Sequence, residues 1–420
     1  SLEMIDAKNP CGGFSNWIAS KDKKGGTPGE KNSQEAINKD EQAPNLLNAF
    51  ATNPTTITLV FNEPLDSLKA ASVSAYTFDN GLIPINITAI APIFDKVNIT
   101  INKPIEEGVI YQIIAKNISD CSGNIIGEKN LANFGLSQSA DTFDLVINEI
   151  LFNPLASGVD YVEIYNRSKK IIDLKQTFIA NKNTGNTISS ITQLTTENFL
   201  FFPEQFIAVT VDPAVVKSQY ITLNPDAFLK MKSIPSFSND KGNVVLLNEQ
   251  GNIVDEVNYS DKWHFALLHN TEGVSLERID YNAPSVQNNF HSAATSVGYG
   301  TPGYKNSQYK INEEFPGEIK VSPEIFSPDN DGIEDFATIS YSFPSAGYVA
   351  NITIFDASGR PVRYLQKSSL NGIKGYYRWD GLDDKNRKLQ QGIYIIYTEI
   401  FNKDGKKKQF KNTIVLARRN

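Results

Sequence analysis

The stretch Val97-Asn98-Ile99-Thr100-Ile101 alternates apolar and polar side chains with a period of two. Successive side chains of a β-strand point to opposite faces, so this period predicts a strand with one face in a core. Residues Thr56 to Phe61 and Ala350 to Ile354 repeat the pattern, and turn signals such as Asp79-Asn80-Gly81 separate such stretches. One short helix is predicted from Asp212 to Gln219. The sequence therefore predicts an all-β protein built as several tandem β-sandwiches.

Length and composition narrow the class of protein further. The 420 residues suffice for roughly three domains, and 21% charged with 40% apolar residues is typical of globular proteins. No apolar run approaches the ~18 residues that cross a bilayer, and the residues from Ser1 to Met4 do not begin a signal peptide. A net charge of −7 gives the phosphates of nucleic acids little to attract. We expect no membrane span and no nucleic-acid partner.

The residue types that carry most enzyme chemistry are scarce. The chain holds 3 His, 2 Cys and 2 Met, whereas imidazole and thiolate groups supply most general bases, nucleophiles and transition-metal ligands. No Walker loop, HExxH, GxSxG or dinucleotide-binding glycine motif is present. We therefore expect no catalytic residue and no bound organic cofactor.

An internal repeat organises the chain. Residues 1–34 align without gaps on residues 275–308 with 15 identities in 34 positions, including Gly26-Thr27-Pro28-Gly29 on Gly300 to Gly303. In the second copy this segment closes a strand-rich region, so the first copy is interpreted as the end of a repeat in a fragment of a longer array. The predicted domains are residues 1–34 as the C-terminal remnant of a first repeat, 43–139 as a first sandwich, 144–308 as a complete repeat and 318–420 as a final sandwich.

The complete repeat resembles a lamin-tail domain, an Ig-like sandwich found in nuclear lamins and in many secreted bacterial proteins. Residues 1–34 look like the end of a second copy. The matching residues are Val146 to Ile150 with Asn153-Pro154, Asp160 to Asn166, Ile172-Asp173-Leu174 and the exit Ser275 to Ser307.

The first sandwich resembles a bacterial Ig-like module of the surface-layer type. The matching residues are Val60 to Leu65, Gly108 to Tyr111 and Ile118 to Asn124.

The last ~100 residues resemble both the Ig-like domain of the flagellar hook-capping protein and the C-terminal sorting domains of type IX secretion cargo. The resemblance implies export to the outer-membrane cell surface or beyond, with the secretion translocon or its shuttle as a partner of this domain. The matching residues are Phe326 to Asp335, Ile354 to Val362, Trp379-Asp380-Gly381, Gly392-Ile393-Tyr394 and Ile414 to Arg418.

Three aspartates near the start of the last domain form a candidate calcium site. Asp329, Asp331 and Asp335 surround Gly332, which permits a sharp turn, and hard oxygen ligands on such a loop suit Ca²⁺. The alternative is a turn rich in aspartate and asparagine that leads into a strand. A metal here would staple the domain and would not catalyse a reaction.

Two other groups of side chains have competing interpretations. Glu149, Asp160 and Glu163 could act as paired carboxylates in acid–base chemistry, but Glu163 alternates with apolar neighbours, which favours a solvent-facing position, and a structural role is preferred. The three histidines are interpreted as packing residues. Two of them, His264 and His269, follow Trp263. The third, His291, aligns with Trp17 of the first copy.

The two cysteines fall in neighbouring modules. Cys11 and Cys121 could form a disulfide between these modules in an oxidising exterior, or both could be buried free thiols. Near the end of the chain, Lys406-Lys407-Lys408 indicates either a solvated strand edge or a docking patch for export machinery.

These observations predict a non-catalytic fragment of an exported surface protein, with modules that act as spacers or in adhesion to a surface glycan or protein ligand. Two alternatives stay open at this point. The chain could be the C-terminal accessory region of a secreted hydrolase or nuclease whose catalytic domain precedes residue 1. It could also be an accessory component of the secretion or gliding machinery.

Overall fold

Alternating stretches of the sequence become strands with one buried face. Val97, Ile99 and Ile101 lie in a core, whereas Asn98 and Thr100 are half-buried. The computed structural model describes residues 1–9, 12–266, 268, 270–309, 318–343, 345–402 and 407–418. About 43% of the residues are in strands and 7% in helices, which confirms the all-β prediction.

The chain divides into two compact units. The first contains residues 1–139, 169–174 and 197–202, and the second contains residues 140–168, 175–196 and 203–420.

The first unit contains a strand pair and a sandwich. Strands β1 and β2 form an antiparallel pair, and the sandwich packs the sheet β3-β4-β7-β6 with the sheet β5-β8-β9. Its core includes Ile57, Leu59, Ile99 and Phe134, all inaccessible to solvent. The elements are β1 (Leu2–Met4), β2 (Trp17–Ala19), β3 (Leu46–Asn53), β4 (Thr56–Phe61), α1 (Ser67–Ala70), β5 (Tyr76–Phe78), β6 (Pro84–Ala89), β7 (Lys96–Ile101), β8 (Tyr111–Ala115) and β9 (Leu131–Phe134), with 3-10 helices at Gly13–Asn16 and Val73–Ala75.

The central module, residues 140–309, pairs two larger sheets with the orders β17-β16-β11-β10-β20-β21 and β14-β13-β18-β19. The predicted helix is present as α2, with the Asp212 side chain accepting hydrogen bonds at its N-terminus. The short strands β12 and β15 pair with each other and belong to the first unit. The elements are β10 (Leu145–Leu151), β11 (Tyr161–Asn166), β12 (Ile172–Asp173), β13 (Thr177–Lys182), β14 (Ile188–Gln193), β15 (Leu200–Phe201), β16 (Phe206–Thr210), α2 (Pro213–Gln219), β17 (Phe228–Lys230), β18 (Lys241–Asn248), β19 (Ile253–Ser260), β20 (Leu276–Arg278) and β21 (Phe290–Ser292), with 3-10 helices at Leu174–Gln176, Asp261–Trp263, Gln287–Asn289 and Thr295–Val297.

The C-terminal sandwich also lies in the second unit. It packs the sheet β22-β24-β27 with the sheet β23-β29-β28-β25-β26 around Phe326 and Trp379. The strands are β22 (Glu318–Ser322), β23 (Ile325–Phe326), β24 (Ala337–Ser342), β25 (Tyr348–Asp356), β26 (Pro361–Leu370), β27 (Lys374–Trp379), β28 (Gly392–Asn402) and β29 (Lys407–Leu416).

Candidate functional sites

Three glutamates meet inside the central module. Glu149 on β10 lies opposite Glu163 on β11 and opposite Glu277 on β20, because β10 pairs with both neighbours. All three side chains are inaccessible to solvent. We call Glu149, Glu163 and Glu277 the glutamate cluster.

The segment after β21 closes over this cluster and supplies its hydrogen bonds. The Thr301 backbone N–H donates to Glu149 at 2.9 Å, the Gly303 N–H donates to Glu163, and the Gln308 N–H donates to Glu277 at 2.8 Å. We call residues 299–308 the closing segment. The cluster explains why the Gly-Thr-Pro-Gly and Lys-Asn-Ser-Gln motifs recur, since both place donors on buried carboxyl groups.

The geometry of the cluster favours a protonated carboxyl group. The Thr301 hydroxyl oxygen lies 3.1 Å from Glu149 Oε2 and 2.8 Å from Glu277 Oε1. A hydroxyl carries one hydrogen, so both contacts are best satisfied when one of the two carboxyl groups is protonated and donates to the Thr301 oxygen. Burial, followed by the charge of Glu149, raises the pKa of Glu277 to about 8. Burial also raises the pKa of Glu149 and, with the charge of Glu149, that of Glu163.

The cluster therefore holds the closing segment in place and offers no carboxyl group to a dissolved substrate. The interpretation of Glu163 as solvent-facing is wrong: β11 is a central strand, and the closing segment covers its Glu163 side. Asp160 is partly exposed, and burial raises its pKa to about 7. Its contribution to the fold lies in its backbone carbonyl, which accepts a hydrogen bond from the Thr210 hydroxyl at 2.8 Å.

The predicted calcium ligands do come together. The carboxylate oxygens of Asp329, Asp331 and Asp335 lie within 4.8 Å of one another. Gly332 adopts the left-handed conformation, with φ of 87°, and its N–H donates to Asp335 at 2.9 Å, while the Asn330 N–H donates to the other Asp335 oxygen at 2.6 Å. The donor set is of the hard-oxygen kind that calcium prefers. The same hydrogen bonds also describe an aspartate-rich turn, so calcium binding stays a prediction.

A second acidic cluster lies in the first unit and was not predicted from the sequence. Asp40, Glu63 and Asp120, all in the first unit, bring their carboxylate oxygens within 4.8 Å of one another. Burial, followed by the charges of Asp40 and Asp120, raises the pKa of Glu63. The three residues are far apart in sequence and share no motif, so only the fold reveals the cluster.

The structure describes one of the two cysteines of the predicted disulfide. Cys121 has no free thiol in the structure. Cys11 lies outside the described residues, so its pairing with Cys121 stays a prediction.

His264 packs as expected. It is buried, its ring centroid lies 5.6 Å from that of Phe152, and its Nδ1 lies 2.9 Å from the hydroxyl of Ser292. His291 is half-buried and its ring centroid lies 5.5 Å from that of Phe265. His269 lies outside the described residues.

The alignment of Trp17 with His291 is wrong. Met4 pairs with Trp17 in the first copy, whereas Arg278, the counterpart of Met4, pairs with Phe290 in the second. Trp17 therefore corresponds to Phe290, because the first copy carries one more residue in the loop between its two strands.

The C-terminal sandwich presents a lysine-bearing strand edge. On one side β29 pairs with β28, and on the other β23 reaches only Val415 and Leu416. Lys407, Lys408 and Lys411 on the remaining part of β29 are exposed, while Lys406 lies outside the described residues. Among the described strands, none pairs with this part of the β29 edge.

Two protein families match the chain. The lamin tail domain matches residues 138–261, and the CHU_C type IX secretion signal domain matches residues 319–416. No curated protein matches the chain. Among the residues that the structure describes, no helix has both the length and the apolar character needed to cross a bilayer.

Several solved structures are distantly similar to this chain. The S-layer protein rSbsC(31-844) is 14% identical over 90% of this chain and 54% of its own, with a TM-score of 0.22. FLGD from P. aeruginosa is 16% identical over 24% of this chain and 74% of its own, with a TM-score of 0.18. Latent PorU from Porphyromonas gingivalis is 9% identical over 90% of this chain and 33% of its own, with a TM-score of 0.19.

The chain thus spans about half the length of the S-layer structure. The family matches do carry an assignment: the chain is a modular exported protein with a lamin tail domain at residues 138–261 and, at residues 319–416, a type IX secretion signal domain that sorts it to the cell surface.

Proposed function

We propose that the chain is a non-catalytic part of this surface protein, in which the Ig-like modules act as spacers or adhesive modules. The observation that carries the proposal is the sealed glutamate cluster. Its three carboxyl groups are inaccessible and hydrogen-bonded to the closing segment, so they stabilise the module and do not face a substrate. The closed apolar cores of the first sandwich and the C-terminal sandwich support the same role.

The C-terminal sandwich is proposed to contact the secretion translocon or its shuttle through the exposed edge of β29. The edge of a strand can accept a further strand, and the exposed Lys407 and Lys411 favour an acidic one. The same lysines discourage pairing with other copies of this chain.

Calcium is proposed to bind Asp329, Asp331 and Asp335. The ion would neutralise three neighbouring carboxylates and tie the loop that precedes β24. Its role would be structural, and Asp335 would continue to hold the loop through its backbone hydrogen bonds.

Deletion in the full chain tests the sorting role. We expect a chain without residues 319–416 to stay inside a bacterium that has type IX secretion, whereas a chain without residues 46–134 reaches the surface. Protease treatment of intact cells, followed by immunoblotting, measures the exposed fraction. Surface display of the chain that lacks residues 319–416 would contradict the proposal.

A further inference from the structure

A cleft of about 660 Å³ opens where the central module meets the C-terminal sandwich. Both bodies belong to the second unit. The central module contributes residues 262–266, Ile279, 287–288 and 290–291 to the lining, and the sandwich contributes residues 345–347, Ile373 and Asn402. The cleft is therefore complete only when both bodies are present.

Trp263 gives the cleft a fixed aromatic wall. It ends the 3-10 helix Asp261–Trp263, whose start is capped by the hydroxyl of Ser260, which accepts a hydrogen bond from the Lys262 N–H at 3.3 Å. The Trp263 ring is half-buried, and its centroid lies 5.8 Å from that of Phe290. Flat aromatic rings of this kind stack on the C–H faces of sugar rings.

Side-chain amides surround this wall. Gln287 and Asn288 are exposed at the cleft, and Asn402 joins them from the C-terminal sandwich. Each amide offers both donors and an acceptor. Hydroxyl groups of a sugar have the same dual character, so amides beside an aromatic ring favour a carbohydrate over a purely apolar ligand.

The charge of the cleft favours an acidic ligand. Lys262 is exposed at its rim, and none of the described lining residues is a carboxylate. This contrasts with the net charge of −7 of the whole chain. A ligand carboxylate would find the Lys262 cation in the lining, while the Asp261 carboxylate, whose charge acts on His264, lies outside the lining.

His264 adds a hydrogen-bond donor without a partner. The Phe265 N–H donates to the Ser292 hydroxyl oxygen at 2.9 Å, which leaves the hydroxyl hydrogen for His264 Nδ1, also at 2.9 Å. The ring hydrogen is then on Nε2. His264 lines the cleft and is only 7% exposed, and Nε2 is buried with no hydrogen-bond partner. A buried donor without a protein partner favours a polar occupant of the cleft over an apolar one.

We propose that this cleft binds an acidic oligosaccharide, with Trp263 stacking on a sugar ring and Lys262 pairing with its carboxylate. The inference deepens the adhesive role proposed above and rests on it for its biological meaning. It names the ligand class and a site that two bodies share.

The test uses the purified full chain and trigalacturonic acid as the probe, with neutral maltotriose as its matched control. Isothermal titration calorimetry should show saturable binding of trigalacturonic acid and at least about tenfold weaker binding of maltotriose. Trp263→Ala should raise the Kd for trigalacturonic acid at least about tenfold, whereas Trp17→Ala, at a partly exposed tryptophan of the first unit, should leave it unchanged. Lys262→Gln should abolish the preference over maltotriose, and Lys217→Gln should preserve it.

Circular dichroism establishes that each variant is folded, and Lys262→Gln tests the site without removing an aromatic ring. No saturable binding at millimolar probe, equal binding of both sugars, or equal loss in Trp17→Ala would overturn the inference. Surface display is measured separately by protease treatment of cells. A chain that is displayed but does not bind the probe refutes this inference and leaves the proposed sorting role intact.

Discussion

The two copies of the closing segment hold an equivalent glutamate in similar hydrogen bonds but in opposite electrostatic states. Glu3 accepts from the hydroxyls of Ser20, Thr27 and Ser33 at 2.7–2.8 Å. Burial opposes ionisation of Glu3, yet these hydrogen bonds outweigh it and lower the pKa to about 2. Burial and the neighbouring Glu149 instead raise the pKa of Glu277 to about 8.

The difference teaches that the repeated motif supplies similar hydrogen bonds to Glu3 and Glu277, while the surrounding residues set the pKa of each carboxyl group. Glu277 lies beside Glu149 on the adjacent strand, and both side chains are inaccessible to solvent. In residues 1–34, Glu3 is paired through β1 with β2, whose residues bear no carboxylate. A shared motif therefore supports a carboxylate in the first copy, where the Ser20 hydroxyl adds a further donor, and favours a carboxylic acid beside Glu149 in the second.

Removing Glu277 should have the largest effect on the stability of the central module and none on residues 1–34. Glu277→Ala leaves the Gln308 N–H and the Ser307 hydroxyl without their acceptor, removes one acceptor of the Thr301 hydroxyl and opens a cavity, so we expect a loss of about 3–5 kcal/mol in the unfolding free energy of the central module. Urea unfolding with hydrogen exchange by mass spectrometry measures it. Glu277→Gln, which mimics the protonated acid, should retain most of the stability. Glu3→Ala should leave protection of the central module unchanged, and an equal loss there would contradict the contrast.

A change of pH should alter the stability of the two copies in opposite directions. The folded pKa of Glu277, about 8, is above the ordinary 4.5, so its contribution to stability is complete below pH 4.5 and is lost as the pH rises toward 8. The expected slope is about 1.4 kcal/mol per pH unit for each such group. The folded pKa of Glu3 is lowered, so its contribution is present above pH 4.5 and is lost as the pH falls toward 2.

Hydrogen exchange across this pH range follows each copy separately. Protection of the central module should decrease on the alkaline side, and protection of residues 1–34 should decrease on the acid side. Glu277→Gln removes one titrating group and should flatten the alkaline slope. A central module that gains stability between pH 5 and 8 would refute the protonated cluster.

Removing the bridging hydroxyl should have an intermediate effect. Thr301→Val keeps the side-chain shape but removes the group that joins Glu149 to Glu277, with an expected cost of about 1–3 kcal/mol. Thermal unfolding measures it. Thr27→Val, the matched change in the first copy, removes one of three hydroxyl donors to Glu3 and should shift the unfolding profile less. Equal shifts would show that the bridge has no special role.

Removing calcium should have the smallest effect on stability. The three candidate ligands lie on a loop and, unlike the glutamate cluster, are not all buried. If Asp329, Asp331 and Asp335 bind the ion, chelation should lower the melting temperature of the C-terminal sandwich by a few degrees, roughly the effect of 1 kcal/mol. Differential scanning calorimetry of the full chain with and without a chelator measures it. Asp331→Asn should abolish the response. A melting profile that is unchanged by chelation rules out a stabilising site here.

Much of the fold could be predicted from sequence because strand alternation is local. The stretches at 97–101 and 350–354 became β7 and part of β25, and Asp212 begins the predicted helix by accepting hydrogen bonds. The Asp329 to Asp335 cluster was also predictable, since its members lie within seven residues. The alternation rule failed at Glu163, where a buried central strand carries a polar side chain.

By itself, the sequence determined the strands, the repeat and the two families, because side-chain period and motif spacing are properties of the chain. The tertiary structure alone decided which distant residues meet: Glu149 with Glu277, Asp40 with Asp120, and the two bodies that line the Trp263 cleft. It also decided the protonation of each glutamate, since the energy of a charge depends on its burial and on neighbours from other strands, which no local pattern records.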